Sequence, residues 1–238
     1  MSEICLIIPA YNEGKFVGDC LESVQKYAPQ LKEVVVVDNA STDDTADVVA
    51  RYPGVRLVRE PVKGLTRARQ TGLDATSAPY VAYIDADCRL TPQWYARADH
   101  YLSTNPDAAV LSGPIKYYDG PLLLKWFVVA IQWMLLPVTF LTARNWVLGG
   151  NFVAKRTALE AIGGFDASIA FYGEDADVGR RLISQGRSLF KMDFYCYTSA
   201  RRMVKEGVIR TYARYTLNFI WHIFFKKSFT EAYTDARH

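Results

Sequence analysis

The chain has 238 residues, half of them apolar, and a formal net charge of +3. This length is enough for one compact unit with a substantial core. The four cysteines are far apart and form no CxxC pair, so the sequence predicts neither a zinc site nor a disulfide framework, and a reducing cytoplasmic setting fits best. No basic and apolar leader precedes the first strand-like run, so we expect no secretory signal.

Short runs rich in valine and isoleucine alternate with segments of helical periodicity in the first half of the chain. The runs lie at residues 4–8, 34–37, 55–58 and 80–84. This alternation predicts an α/β fold with a Rossmann-like, mostly parallel central sheet flanked by helices. Ligands bind beyond the carboxyl ends of the strands in such sheets. Polar residues at those ends are therefore the first candidates for a site.

Polar residues follow the first two predicted strands. Tyr11 and Glu13 come just after the first strand, and Asp38 and Asn39 end the second. Asp38 and Asn39 are predicted to contact the base or ribose of a nucleotide, and the alternative is that they only cap the next helix. Ser41, followed by Asp44, resembles a capping box for that helix.

The segment after the third strand offers a guanidinium to the same edge of the sheet. Within Gly64-Leu65-Thr66-Arg67-Ala68-Arg69, we expect Arg69 to reach the base or diphosphate of a nucleotide. The alternative is an exposed helix arginine that pairs with water or with Glu60.

The triplet Asp85-Ala86-Asp87 closes the fourth apolar run. Two carboxylates separated by one small residue can face a divalent cation and a ribose together. Mg²⁺ and Mn²⁺ prefer oxygen ligands, so Asp87 is the first candidate ligand, with Asp85 beside it. A strand end followed by a turn explains most isolated pairs of this kind. Here the polar ends of the other strands favour one shared crevice.

An apolar segment at residues 122–141 follows, interrupted mainly by Lys125, Gln132 and Pro137. Its stretch from Trp126 to Leu136, before the proline, falls well short of the roughly 20 mostly apolar residues that a transmembrane helix needs. Two interpretations stay open: a buried or partner-facing helix, and an interfacial or re-entrant membrane segment.

The second half begins with a predicted turn at Gly149-Gly150, a short strand, a helix at 156–162 and a glycine stop at Gly163-Gly164. The cluster Glu174-Asp175-Ala176-Asp177 then opens another helix. Asp175 is the predicted general base that removes the proton of an acceptor hydroxyl. Glu174 and Asp177 are alternatives, and all three carboxylates also favour a helix start. Arg180 and Arg181 would clamp a diphosphate, or form a solvated helix face.

The end of the chain is basic and aromatic. From Arg180 onward it holds 12 lysines and arginines against 4 aspartates and glutamates, a net +8, so the preceding part is net acidic. Aromatic and basic residues alternate at 212–229, which favours a membrane surface over a nucleic acid as partner. His222 in this tail would complete a metal site or, more commonly for a lone histidine, pack among the aromatic rings.

Taken together, these motifs resemble those of family 2 glycosyltransferases over about residues 4–197. The resemblance implies a GT-A fold, an inverting mechanism, a nucleotide-sugar donor that is commonly a UDP-sugar, and a divalent cation, Mg²⁺ or Mn²⁺. Carried onto this chain, it implies Asp87 as metal ligand and Asp175 as base, and it places five residues at the nucleotide: Pro9, Tyr11, Glu13, Asp38 and Asp85. The strand-end and helix arguments add four more: Asn39, Arg69, Ala86 and Arg181.

The chain lacks the QxxRW motif of processive synthases and offers only Gly179-Arg180-Arg181-Leu182, which favours transfer of a single sugar. We expect a nucleotide-binding part at 1–112, an apolar insertion at 113–148, an acceptor and base part at 149–200 and a basic tail at 201–238. The apolar and basic parts resemble those of members that modify lipid carriers. A hydroxyl acceptor, lipid or lipid-linked, and a peripheral position on the cytoplasmic face of a membrane are therefore expected.

Two other functions fit parts of the sequence. A nucleotidyltransferase also uses an α/β nucleotide fold and a metal carboxylate, but the glycine-rich loop expected after its first strand is missing from residues 9–13. A non-catalytic nucleotide-binding scaffold at a membrane or partner surface is the other alternative. The sequence predicts no oligomeric state.

Overall fold

A computed structural model describes residues 1–122, 124, 126–127, 130, 147–169, 173–208, 210–211, 213–214 and 217–218. Most of the apolar segment 122–141 lies outside these residues, as do most of the tail 212–229 and His222. The predictions made for those parts are not tested by the fold.

Strands of the described residues form one large sheet and one small one. They are β1 (Ile4–Ala10), β2 (Glu33–Asn39), β3 (Val55–Glu60), β4 (Tyr80–Ile84), β5 (Ala108–Ser112), β6 (Ile115–Tyr117), β7 (Asn151–Lys155), β8 (Arg187–Phe190) and β9 (Cys196–Thr198). The seven-stranded sheet has the order β3-β2-β1-β4-β7-β5-β8, and β6 pairs with β9 separately. Every neighbouring pair is parallel except those that β7 forms with β4 and β5. The predicted mostly parallel α/β fold is confirmed.

Helices join the strands and cover the large sheet. They are α1 (Gly14–Tyr27), α2 (Thr45–Val49), α3 (Leu65–Asp74), α4 (Trp94–Thr104), α5 (Arg156–Ala161), α6 (Glu174–Leu182) and α7 (Arg201–Glu206). A 3₁₀ turn at Ile183–Gln185 follows α6.

The sheet is buried on both faces because successive side chains of a strand point to opposite sides. Every residue of β1 is buried. Leu6 and Ile8 pack in a core with residues of α1 and α4, whereas Cys5 and Ile7 pack in a second core with residues of α3 and α6. Burial on two faces explains why the central strands read as continuous apolar runs.

The ends of two helices test local predictions. The glycine stop after α5 is confirmed: Gly163 and Gly164 have φ of +76° and +71°, and Gly164 donates its N–H to the Leu159 carbonyl at 2.8 Å. The capping box before α2 is wrong. The Ser41 hydroxyl instead accepts from the Asn12 N–H at 3.0 Å, and Asp43 accepts from the Thr45 N–H at 3.0 Å.

No helix within the described ranges is long and apolar enough to cross a membrane. Three apolar side chains within the 122–141 segment, those of Leu122, Trp126 and Phe127, are exposed.

Candidate functional site

The loops after β1 and β2 lie side by side because the two strands run parallel, with Ala10 opposite Asp38. Asn12 and Ala40 have positive φ, +52° and +60°, a conformation that is uncommon for residues other than glycine. The Asn12 side chain accepts from the Thr42 N–H at 2.8 Å, so the two loops hold each other. Backbone strain of this kind is concentrated at functional sites.

Asp38 and Asn39 have different surroundings although they are neighbours. The Asp38 carboxylate accepts from the Ser41 N–H at 3.2 Å. The Asn39 amide donates to the carbonyls of Glu60 and Val62, and its oxygen accepts from the Gly64 N–H at 2.8 Å. These three hydrogen bonds use the Asn39 side chain to fix the loop between β3 and α3. They give Asn39 a structural role, and its contact with a nucleotide stays a prediction.

The remaining residues predicted near the nucleotide lie along the same edge. Pro9 is buried inside β1, and Ala86 is 3 % exposed between the two aspartates. Tyr11 is half-buried, with the Lys63 ammonium 3.8 Å from its ring centroid. Lys63 was not singled out in the sequence.

The two aspartates after β4 differ in exposure and partners. The Asp85 side chain is 46 % exposed and lies 3.7 Å from the Arg69 guanidinium. The Asp87 side chain is 12 % exposed, and its Oδ1 accepts from the Thr198 hydroxyl at 3.1 Å. Burial raises the pKa of Asp87 to about 6, opposed by the positive charge of Arg201.

Arg201, the first residue of α7, reaches into the site from the second half of the chain. Its Nη2 donates to Glu13 Oε1 at 2.6 Å and lies 3.1 Å from Asp87 Oδ2. Its guanidinium carbon lies 4.3 Å from the centroid of the Phe16 ring. The loops after β1 and β4 therefore share one positively charged side chain, that of Arg201. Neither Arg201 nor Thr198 was singled out in the sequence. The available signal was the polar character of the chain at the end of β9 and just after it.

Arg69 on α3 connects Asp85 with Glu174 at the start of α6. It is 1 % exposed, donates to the Gly149 carbonyl at 2.8 Å, and contacts Glu174 at 3.2 Å. With Asp85 at 3.7 Å, the guanidinium stands among three acceptors. The alternative of an exposed arginine paired with Glu60 is wrong, because Arg69 is buried.

Gly149 and Gly150 allow these groups to approach. A Cβ on Gly149 would lie 2.8 Å from Arg69 Nη2, and one on Gly150 would lie 2.8 Å from Asp85 Oδ2. A side chain at either position would therefore have to displace these charged groups. The predicted turn into β7 is confirmed, and its glycines leave room for the charged groups around it.

Glu174 and Asp175 open α6 beside Arg69. Burial raises the pKa of Glu174 to about 8, with the charge of Asp175 adding to this and Arg69 opposing it. The contact with Arg69 is thus outweighed by desolvation. Burial also raises the pKa of Asp175, which accepts from the N–H groups of Ala176 and Gly149 at 2.8 and 3.3 Å. With Asp87, the site holds three carboxyl groups whose pKa is raised by burial.

Asp177, the third acidic residue, is used inside the fold. It is 5 % exposed and pairs with Arg180 at 3.0 Å and Arg181 at 2.7 Å. Arg181 also donates to the carbonyls of Ile162 and Gly164, which follow α5. These contacts argue against Asp177 as the base. They lend no support to Arg181 as a diphosphate ligand, which stays a prediction.

Among the described residues, no group of three or more His, Cys, Asp and Glu side chains is arranged to hold a metal ion. The acidic groups of the edge are spread along it instead. Any cation bound at Asp87 and Asp85 would need most of its ligands from a bound molecule, as is common for Mg²⁺ sites with phosphates.

The model of the family described as "Glycosyl transferase family 2" matches residues 5–163 of this chain. Glycosyltransferase AglE of Haloferax volcanii is 34 % identical over 101 residues, which are 40 % of this chain and 33 % of AglE. The chain spans about a third of the length of the curated relatives it matches.

Solved structures share the fold. The mannosyltransferase PcManGT from Pyrobaculum calidifontis, in complex with GDP-Man and Mn²⁺, has a TM-score of 0.73 at 22 % identity, covering 94 % of this chain and 63 % of its own. S. aureus TarS 1-349, in complex with UDP-GlcNAc, has a TM-score of 0.66 at 16 % identity, covering 94 % and 73 %. At these identities the likeness establishes the GT-A architecture alone.

Proposed function

The chain belongs to glycosyl transferase family 2, and from this we propose that it transfers one sugar from a UDP-sugar to a hydroxyl acceptor by direct displacement with inversion. The displacement forms a bond between the acceptor oxygen and the anomeric carbon, and it breaks the bond from that carbon to the diphosphate. The acceptor's proton passes to a carboxylate of the enzyme.

One observation carries the proposal: Arg69 contacts both Asp85 and Glu174. The first residue lies at the donor edge of the sheet, and the second lies beside Asp175 at the start of α6. A single buried guanidinium thus spans the distance between the groups proposed for the donor and the group proposed for the acceptor. Such an arrangement suits a reaction between two bound molecules.

The carboxylates of the strand-end edge fit a divalent cation. We propose Asp87 as its ligand with Asp85 beside it, because Mg²⁺ and Mn²⁺ use one or two protein carboxylates when phosphates supply other ligands. The Mn²⁺ in the PcManGT complex supports this assignment. When bound, the cation supplies positive charge that stabilises the departing diphosphate.

Asp175 is the proposed base. Its raised pKa suits a group that takes a proton as the new bond forms, since a base with greater proton affinity removes a hydroxyl proton more effectively. The N–H groups of Gly149 and Ala176 fix the orientation of its carboxylate. Glu174, with a pKa of about 8, holds its proton at neutral pH and is the weaker candidate.

Nucleotide binding is assigned to the ends of β1 and β2. Asp38 and Glu13 supply carboxylates there. The Tyr11 ring, next to the Lys63 ammonium, offers an aromatic surface on which the nucleobase can stack. The UDP-GlcNAc complex of TarS supports uridine as the base. GDP-Man in the PcManGT complex makes guanosine the first competitor to test.

The acceptor is proposed to be a lipid or a lipid-linked hydroxyl at the cytoplasmic face of a membrane. The exposed side chains of Leu122, Trp126 and Phe127 in the apolar segment support this, together with the excess of basic residues from Arg180 onward. Apolar side chains combined with positive charge favour binding to anionic bilayers. Pelleting with anionic vesicles in high salt would separate apolar insertion from electrostatic adhesion.

A donor screen tests the proposed activity. Release of nucleoside diphosphate is measured from a panel of UDP- and GDP-sugars, with Mn²⁺, Mg²⁺ or chelator, and with or without extracted membrane lipids. We expect cation-dependent release of UDP that rises when the correct lipid is present. Pyrophosphate release from a nucleoside triphosphate would instead indicate a nucleotidyltransferase. UDP binding that ignores Mn²⁺, without turnover of any donor, would indicate a scaffold.

A further inference from the structure

Arg201 places a positive charge beside two carboxylates of the proposed donor site, those of Glu13 and Asp87. Its Nη2 lies within 2.6 Å of Glu13 Oε1 and within 3.1 Å of Asp87 Oδ2, and both carboxylates are largely buried. A buried carboxylate without a positive partner is costly. In the absence of a cation, the guanidinium therefore serves as the counter-ion of the site.

Arg201 and a bound divalent cation would compete for the same carboxylate group, that of Asp87. The proposed cation site uses Asp87, whose Oδ1 is already held by the Thr198 hydroxyl. The other oxygen, Oδ2, faces Arg201. A cation that binds Oδ2 brings its own positive charge close to the guanidinium, and like charges at this distance repel.

From this geometry we infer that Arg201 is a positioning residue that competes with the divalent cation for Asp87, and that it leaves Asp87 when the cation and donor bind. The inference rests on the proposed metal-assisted transfer. The Arg201 side chain is 22 % exposed, so part of it already faces solvent.

Release of Arg201 has a consequence for the chain beyond it. Arg201 is the first residue of α7, and Met203 of the same helix packs with Leu124 and Ala200 in a small separate cluster. Leu124 belongs to the apolar segment, and α7 is the start of the basic tail. A movement of Arg201 away from Asp87 would therefore act on a helix that contacts the part of the chain proposed to meet the acceptor.

The test is a titration of the full, metal-free chain with Mn²⁺ alone, in which electron paramagnetic resonance measures the concentration of the free ion. For Arg201→Gln we expect Mn²⁺ to bind about tenfold more tightly than to the unchanged protein, because its competitor is gone. Arg202→Gln is the matched control: it removes one positive charge from the same helix and should alter the affinity by less than about twofold. A purely structural role for Arg201 predicts weaker binding, the opposite sign.

The double variant Glu13→Gln with Arg201→Gln covers the case in which the single variant fails to fold. It removes both charges, so no carboxylate of Glu13 stays buried without a partner, and it should also bind Mn²⁺ more tightly than the unchanged protein. Affinity that is unchanged or lower in the folded variants overturns the inference. If the unchanged protein binds no Mn²⁺ even with UDP present, the proposed metal-assisted transfer is overturned with it.

Discussion

The guanidinium of Arg69 donates to the carboxyl group of Glu174 at 3.2 Å, although 105 positions separate them in the sequence. This contact ties α3, which follows β3, to the first turn of α6. Arg69 is 1 % exposed, so its charge is balanced only by the groups around it. The stability of the fold and the geometry of the site therefore depend on the same side chain.

Replacing Arg69 with methionine should lower the free energy of unfolding by about 1–3 kcal/mol, because the Gly149 carbonyl and the Glu174 carboxyl group lose their buried hydrogen-bond donor. Urea denaturation measures this. Arg67→Met is the control, since Arg67 lies on the same helix with an exposed side chain and should change stability by less than about 0.5 kcal/mol. Equal losses in the two variants would contradict the role of Arg69.

The pH dependence of the free energy of unfolding should reflect the ionisation of Glu174. Its pKa rises from 4.5 to about 8 on folding, so between these values the native state keeps a proton that the unfolded chain releases. The unfolded state then binds fewer protons, and stability falls as the pH rises through this window. In Glu174→Gln this fall should be smaller. Denaturation of metal-free protein at pH 5 and pH 8.5 measures it, and identical slopes for the two proteins would refute the assignment.

Asp175→Asn should lower kcat by about 10²–10⁴ while UDP affinity stays within a few fold, because the change removes proton acceptance and keeps the shape of the side chain. Transfer assays and calorimetry measure the two quantities. Glu160→Gln, which alters an exposed carboxylate on α5, should leave both unchanged. A normal kcat in Asp175→Asn would remove Asp175 from the mechanism and turn attention to Glu174.

Substitutions of Asn39 and Asp38 should affect stability and nucleotide binding differently. Asn39→Ala removes the acceptor for the Gly64 N–H and the donors to two carbonyls, which should cost about 1–3 kcal/mol of stability. Asp38→Asn should change stability less and weaken UDP binding more. Thermal unfolding and UDP titration of both variants make the comparison. Loss of UDP affinity in Asn39→Ala alone would reverse the two assignments.

Much of the fold could be predicted from the sequence because its signals are local. The four valine- and isoleucine-rich runs all became strands of the sheet, and the glycine pair after α5 ended that helix as expected. The same rule that predicted a parallel sheet also indicated where its polar ends would gather, since parallel strands end at one edge. These inferences needed only the neighbours of each residue along the chain.

The parts that could not be predicted depend on contacts between distant segments. Arg201 lies 188 positions from its partner Glu13, and no local pattern indicates such a pair. Asn39 resembles a ligand-binding residue in the sequence, but its three hydrogen bonds go to a loop more than 20 positions away. Polar residues at strand ends are recognisable in the sequence; whether they bind a ligand or brace a loop is decided by packing.

The antiparallel strand β7 sits between β4 and β5. During synthesis, strands β1 to β4 leave the ribosome before β7, so β4 gains its second neighbour only after Lys155 has been made. An open strand edge is a template for pairing with other chains. A truncated product ending near residue 150 would therefore expose β4 and self-associate, so the first half of this protein is not a safe place to divide it into separately expressed pieces.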